Sequence, residues 1–321
     1  MNAEHDLIIL GGGVAGMTAA IYAARANLRV LLLDENACGG LVNWTRVVEN
    51  MPSYTSIGGM ELAQRMQDQV AQLGVRVEEA ACIDAMDLAG EVKRIEADGE
   101  THTATAVILA TGRKPVPLDV AGDCAQVHYC AICDGAPYIG KRVLVVGGGN
   151  SGFDEALALL DLGVTELTLV EKMDRFFAAR TAQDKLAARP NATLLHSTEV
   201  AAIEYGDTIR SVTLRNVNTG EEQASAFNGI FVFMGQQPGT EALRGIVALD
   251  EQGYIETDEN MAASIPGVFA AGDVRRKKYR QITTAMADGT VAALEAERYI
   301  RARAAARSEE HTSELQSHLN L

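Results

Sequence analysis

Asp6-Leu-Ile-Ile-Leu10 followed by Gly11-Gly-Gly-Val-Ala-Gly16 decides the fold, because the chain says it again as Arg142-Val-Leu-Val-Val146 followed by Gly147-Gly-Gly-Asn-Ser-Gly152. In each copy a short apolar run reads as a buried strand. A helix is expected next, over 17–26 in the first copy and 153–162 in the second. A second strand follows, Arg29-Val-Leu-Leu-Leu33 or Leu167-Thr-Leu-Val170, and closes on Asp34 or Glu171. Each copy is a βαβ unit, which builds a parallel sheet.

The glycines have separate physical roles. Gly11 and Gly147 make the tight turn, Gly13 and Gly149 let backbone approach a pyrophosphate, and Gly16 and Gly152 let helix and strand pack closely. Backbone N–H groups at the helix start hold phosphates, aided by the helix dipole. A carboxylate near the end of the second strand accepts from a ribose hydroxyl. Asp34 lies 23 residues after Gly11, and Glu171 lies 24 after Gly147. One such loop is weak evidence, but two with strand, helix and acid in place call for two dinucleotides in one chain.

Other strands carry further signals. Ala106-Val-Ile-Leu-Ala-Thr-Gly112 and Gly229-Ile-Phe-Val-Phe-Met-Gly235 are apolar runs ending in tight turns. Gly267-Val-Phe-Ala-Ala-Gly-Asp273 delivers an aspartate just after a glycine, and a helix is expected over 283–301. The stretches around Pro115 and Pro117, and around Pro238 and Thr240, read as two crossings between domains. The second nucleotide domain is thereby inserted into the first.

Composition bounds the rest. A chain of 321 residues suits two domains, and 47 % hydrophobic with 22 % charged residues suits a packed core. The net charge of −15 argues against nucleic acid as a partner. No apolar stretch approaches the roughly 20 residues that span a bilayer, so no membrane partner is expected. The first residues lack the positive region of a secretory signal. Five cysteines, an odd count, fit a reducing cytoplasm. Cys38, Cys82 and Cys124 stand alone and are expected to be small buried apolar residues.

Cys130-Ala-Ile-Cys133-Asp134 is different, because it is a pair. Two cysteines at this spacing can close a small disulfide ring, supply half a zinc site or simply pack in a core. Zinc needs two more ligands, and neither a second Cys-x-x-Cys nor a spaced His pair exists, so no metal is expected. In a chain that calls for two dinucleotides the pair reads as a redox centre exchanging with an external disulfide. Asp134 could move the proton if burial makes it a competent acid, or it could merely cap the turn before Gly135. His128 could help stabilise a thiolate.

The order Gly11-to-Gly16, Gly39-Gly40, Val48-Glu49-Asn50, Ala110-Thr111-Gly112, Tyr129-Cys-Ala-Ile-Cys-Asp-Gly135, Gly147-to-Gly152, Ala271-Gly272-Asp273 and Arg280-Gln281-Ile282 resembles low-molecular-weight thioredoxin reductase, to about residue 303. The resemblance implies an α/β chain of two Rossmann-like, three-layer dinucleotide-binding domains, with the nicotinamide domain inserted into the FAD domain. FAD would be held by 1–113 and 243–306, and the nicotinamide nucleotide by 114–242 with the cysteine pair. Cys133 would face the flavin, Cys130 would attack the partner disulfide, and Asp134 would be the acid/base. Gly40, Asn50, Thr111, Gly112, Gly272, Asp273, Gln281 and Ile282 would join Gly11, Gly13, Gly16 and Asp34 around FAD. The family is homodimeric and rotates one domain against the other.

The chain departs from that family in places. Members that use NADPH carry a His-Arg-Arg run after the second strand of the nicotinamide domain, and here the run is Glu171-Lys172-Met173. A carboxylate accepts from a free ribose 2′-OH and repels a phosphate, so NADH is the expected donor, with NADPH possible through Lys172. Leu41 stands where glutamine is common, and Asp34 where glutamate is frequent. The second loop with Glu171 is similar to the flavoprotein of alkyl hydroperoxide reductase, whose N-terminal thioredoxin-like extension is not expected in this protein. The partner is then a separate thioredoxin-like or glutaredoxin-like protein. Alternatives are the reductase of a peroxiredoxin system and a thiol or NADH oxidase using oxygen. Residues 307–321 break the Ala-rich pattern before them. Arg307 to His318 looks like translated sequencing-adapter DNA, so 307–321 is expected to be foreign to the fold.

Overall fold

A computed structural model describes residues 3–45 and 47–319, the side chains of 307 and 309–319 excepted. The chain forms two compact units, one of Met1–Arg113 with Pro238–Leu321 and one of Lys114–Gln237. The return crossing lies at Gln237/Pro238 and not at 242/243. Gly239 N donates to Gly112 O (3.0 Å) and the Thr111 hydroxyl to Gly239 O (2.6 Å), which ties the returning chain to the first unit.

The first unit opens with β1 (His5–Leu10), α1 (Val14–Arg25), β2 (Val30–Leu33), α2 (Gly59–Gln72) and β3 (Arg76–Glu78). β4 (Ile83–Asp87), β5 (Lys93–Ala97) and β6 (Glu100–Leu109) follow. β2, β3 and β6 join β1 as parallel strands, in the order β3-β2-β1-β6. Strand alternation sends Leu7, Ile9, Leu32, Ala106 and Ile108 to one face and Ile8, Leu10, Leu31, Leu33, Val107 and Leu109 to the other. Both faces are buried, as a parallel sheet requires. α2 is amphipathic and buries Leu62, Met66 and Val70, four residues apart, on the first face.

A short strand β7 (Arg113–Pro115) leads to the second unit, which holds β8 (Val127–His128), α3 (Ala131–Asp134), β9 (Arg142–Val146), α4 (Asn150–Leu162) and β10 (Glu166–Val170). α5 (Arg180–Ala187), β11 (Ala192–Leu195), β12 (Thr198–Tyr205), β13 (Ile209–Asn216), β14 (Glu222–Ser225) and β15 (Gly229–Val232) complete it. Its parallel sheet runs β11-β10-β9-β15-β8. α4 and α5 cover one face, and the antiparallel sheet β12-β13-β14 supplies Val200, Val212 and Leu214 to the core on the other.

β16 (Gln236–Pro238) pairs with β7, so the two crossings run side by side. β17 (Val268–Ala270) then adds to the first sheet in parallel beside Val107–Leu109 of β6, while β5 occupies the same edge of β6 at Glu100–Ala104. α6 (Ile282–Leu319) packs Ala285, Ala292, Ala293, Ala296 and Ile300 into the core. It outruns the expected end at 301 because no Pro or Gly interrupts 290–319 and the run 302–306 is rich in alanine. The expectation that 307–321 is foreign turns on side chains that, from 309 on, lie outside the described residues. No helix among the described residues is long and apolar enough to cross a membrane.

Candidate active site

In both glycine loops the turn glycine and the packing glycine sit as their expected roles require. Gly11 and Gly147 have φ of +105° and +119°, where side chains are strained. A Cβ on Gly16 would sit 1.8 Å from Gly11 O, and one on Gly152 1.9 Å from Gly147 O. By contrast a Cβ on Gly13 or Gly149 would meet nothing within 4 Å among the described residues. These two glycines are also the N-caps of α1 and α4, with no side chain capping either helix. The helices start three residues earlier than expected, because the loop itself forms their first turn. Open space in front of uncapped N–H groups is what a pyrophosphate needs.

The acid at the end of each second strand closes back on its loop. Asp34 Oδ2 accepts from Gly12 N (2.5 Å) and Oδ1 from Asn36 N (2.7 Å). Glu171 Oε2 accepts from Gly148 N (2.7 Å) and Oε1 from Met173 N (2.9 Å). Burial pushes the Asp34 carboxyl above its ordinary range, against the pull of its two backbone donors. Gly40 lies against Gly13, and Gly39 N donates to Gly12 O, so the 39–40 turn belongs to the first loop's surroundings. Asn50 Nδ2 donates to Gln281 Oε1 (3.1 Å), which brings two more expected site residues together, with Ile282 opening α6 beside them. The Thr111 hydroxyl, in contrast, is spent on Gly239 O, as Gly112 O is on Gly239 N.

Asp273 sits on a turn held from below by a residue that sequence reading did not single out. Asp288 of α6 is buried, and accepts from Gly272 N (3.1 Å), Arg275 Nη1 (3.0 Å) and Lys277 Nζ (2.8 Å). Its sequence signal was present but unread: Asp288-Gly289 is a poor pair for a helix interior. Gly289 is needed there because a Cβ would fall 2.2 Å from Ala15 O of α1. Asp273 Oδ1 is buried without a hydrogen-bond partner among the described residues, 3.7 Å from Lys277 Nζ. Burial pushes the Asp273 carboxyl up, and Lys277, Arg113 and Arg280 oppose that.

Cys130 and Cys133 form a disulfide across α3. Cys130 is buried at 6 % exposure and its Sγ accepts from Cys133 N (3.1 Å), whereas Cys133 is exposed. Asp134 is not buried: 41 % of its side chain is exposed. What it has is a neighbour. His128 Nδ1 lies 3.5 Å from Asp134 Oδ2, and His128 Nε2 lies 2.6 Å from the Tyr138 hydroxyl. Burial lowers the imidazole from its usual range despite Asp134, and burial with Asp134 raises the Tyr138 phenol. One tautomer satisfies the line, with Tyr138 donating to Nε2 and Nδ1–H directed at Asp134. Tyr138 was not visible as a site residue in the sequence. Gly229 makes room for it, since a Cβ there would lie 2.3 Å from its ring.

The lone cysteines divide. Cys38 and Cys124 are buried as expected, and burial pushes the Cys38 thiol up to about 12. Cys82 is exposed, contrary to expectation, because it stands outside the sheet's core beside Asp84 and Asp98, which raise its thiol. On α4, burial raises the Glu155 carboxyl to about 7, with Asp154 adding to it.

The pyridine nucleotide-disulphide oxidoreductase family model matches residues 5–289. A "34.2 kDa protein in rubredoxin operon" of Clostridium pasteurianum is 41 % identical over 301 residues, 92 % of this chain and 97 % of that one. A thioredoxin reductase of Mycolicibacterium smegmatis is 39 % identical over 304 residues, covering 92 % and 96 %. The crystal structure of Lactococcus lactis thioredoxin reductase (FR conformation) superposes with a TM-score of 0.81 at 37 % identity, covering 92 % of this chain and 99 % of that one.

Proposed function

The chain belongs to the pyridine nucleotide-disulphide oxidoreductase family, alongside the thioredoxin reductases, and from that premise we propose that it carries electrons from NADH through the Cys130–Cys133 disulfide to a thioredoxin-like protein. It is an FAD-dependent disulfide oxidoreductase. The first unit is the FAD domain in this reading and the second the nicotinamide domain. The residues fit both nucleotides: open space faces Gly13 and Gly149, each acid is fixed against its loop, and Asp273 keeps a buried oxygen without a hydrogen-bond partner. FAD, when bound, supplies two-electron transfer between a nicotinamide and a disulfide.

The chain's own part is sulfur and proton chemistry. Two electrons and two protons convert the disulfide to two thiols. The Cys130 thiolate, favoured by the N–H that Cys133 donates to its sulfur, attacks the partner disulfide and forms a mixed disulfide. One partner sulfur leaves and takes a proton, which the Asp134–His128–Tyr138 line supplies. The Cys133 thiolate then attacks Cys130 Sγ, releasing the second partner sulfur and restoring the Cys130–Cys133 bond. Cys130 is covered while the disulfide is closed, so it has to be uncovered before it meets a protein. Three unpaired cysteines support a reducing, cytoplasmic setting, and kinship with the family supports a homodimer.

The observation that carries this reading is a closed Cys-x-x-Cys disulfide in a unit that also carries a complete glycine loop ending on Glu171. Anaerobic titration with NADH and, separately, NADPH tests the donor by flavin bleaching. NADH should bleach faster; equal or faster bleaching by NADPH overturns the choice. Adding oxidised thioredoxin to the reduced enzyme should restore the flavin colour, and failure to do so removes thioredoxin as the acceptor.

A further inference from the structure

We propose that Glu199 is a second specificity-determining residue for the nicotinamide donor, holding Lys172 and Arg215 away from a nucleotide 2′-phosphate. The proposal rests on the reading of Glu171 as the ribose-binding carboxylate. Lys172 directly follows Glu171 and is the cation best placed by sequence to compensate for the missing arginines. It is not available. Its Nζ lies 2.8 Å from Glu199 Oε2, while Glu199 Oε1 accepts from Arg215 Nε (3.0 Å) and Nη2.

The backbone fixes this arrangement beside the ribose site. Thr198 N donates to Glu171 O (2.9 Å) and Ser197 N to Met173 O (2.7 Å), so the start of β12 is hydrogen-bonded to the 171–173 turn. Glu199 and Arg215 are direct cross-strand partners in β12 and β13. The Glu199 side chain is only 18 % exposed, against 69 % for Lys172 and 46 % for Arg215. The carboxylate is the anchored member and the cations are arms gathered onto it. Both cations hold the Glu199 carboxyl below its ordinary range, so it stays charged.

Exposed ion pairs add little stability, so the triad's consequence lies in where it presents charge. Glu171, Glu199 and Glu222, the last 4.0 Å from Arg215 Nη1, outnumber Lys172 and Arg215 by one charge. A phosphate dianion needs a surplus of Lys or Arg donors, and this cluster offers none. Removing the Glu199 charge brings this cluster to zero, frees Lys172 and leaves Arg215 only its 4.0 Å contact with Glu222.

Calorimetric titration of the FAD-loaded protein with 5′-AMP and with adenosine 2′,5′-bisphosphate tests this, since neither probe carries a nicotinamide. Glu199→Gln should tighten the bisphosphate about fivefold or more while leaving 5′-AMP unchanged, and the gain should fade as salt screens it. Adding Lys172→Ala to that variant should remove most of the gain. Unaltered bisphosphate affinity in Glu199→Gln, with 5′-AMP binding intact, overturns the role of Glu199. A natural chain that already binds bisphosphate as tightly as 5′-AMP refutes the prior reading of Glu171 instead. Lys172→Ala alone decides the matter if Glu199→Gln folds poorly. It should leave bisphosphate affinity unchanged, and a loss would show that Lys172 already serves a phosphate.

Discussion

At the end of β2, Asp34 accepts from Gly12 N and Asn36 N; at the end of β10, Glu171 accepts from Gly148 N and Met173 N. The backbone solution is the same twice, yet the surroundings differ. Asp34 is half-buried, with the buried Cys38 thiol and the Glu79 carboxylate near it and burial raising its carboxyl. Glu171 lies beside an ionic cluster of Lys172, Glu199 and Arg215 whose cations are largely in water. In the proposed reading each loop places a pyrophosphate, and the carboxylate's neighbours bear on which nucleotide it takes.

The largest test of this division is Cys133→Ser. It should lower disulfide reduction at least about a thousandfold while NADH still bleaches the flavin, because only the second unit carries the relay. Retained reduction of a protein disulfide would sink that assignment. Gly16→Val and Gly152→Val come next, each forcing a Cβ into a carbonyl less than 2 Å away and costing roughly 3 kcal/mol or more. Denaturant unfolding should show both losses, but visible absorbance should report lost flavin for the first alone. Equal loss of flavin would break the comparison.

Asp34→Asn and Glu171→Gln sharpen it at about tenfold each, or ~1.4 kcal/mol. The first should lower FAD affinity with the KM for NADH unchanged, and the second should do the reverse. The smallest effect is expected at Glu155, whose carboxyl rises from 4.5 to about 7 on folding. The folded chain keeps a proton there that the unfolded chain gives up above 4.5. The stability this contributes is therefore whole below 4.5 and lost as pH rises through about 7. Glu155→Gln should raise Tm by a few degrees at pH 8 and hardly at all at pH 4.5, by differential scanning fluorimetry. A gain of equal size at both values would refute the assignment.

Much of this was legible in the chain itself. A glycine that needs positive φ, or that admits another backbone, announces itself locally, and so does a cysteine pair three residues apart. Asp288, Tyr138 and Glu199 did not, because each acts on partners brought near only by folding. Glu199 meets Lys172 and Arg215 across 27 and 16 residues, and no short pattern encodes such a meeting. Asp134 is expected from the sequence to be a buried acid/base, but its side chain is 41 % exposed, and a histidine and a tyrosine stand in line with it. Cys82 was misjudged for the opposite reason: a small residue on a short edge segment gives no periodic signal of which way it faces.

The divided edge of β6 has a consequence for how the protein is made. Glu100–Ala104 finds β5 within a few residues, but Val107–Leu109 waits for β17, which is synthesised some 160 residues later. During that interval the ribosome has released the whole of the second unit, which holds its own sheet and can settle unaided. The first unit meanwhile shows a bare strand edge of apolar residues, the kind of surface to which other nascent chains add. Its final strand is thus also its seal, and the order of synthesis delivers that strand only after the whole of the inserted unit.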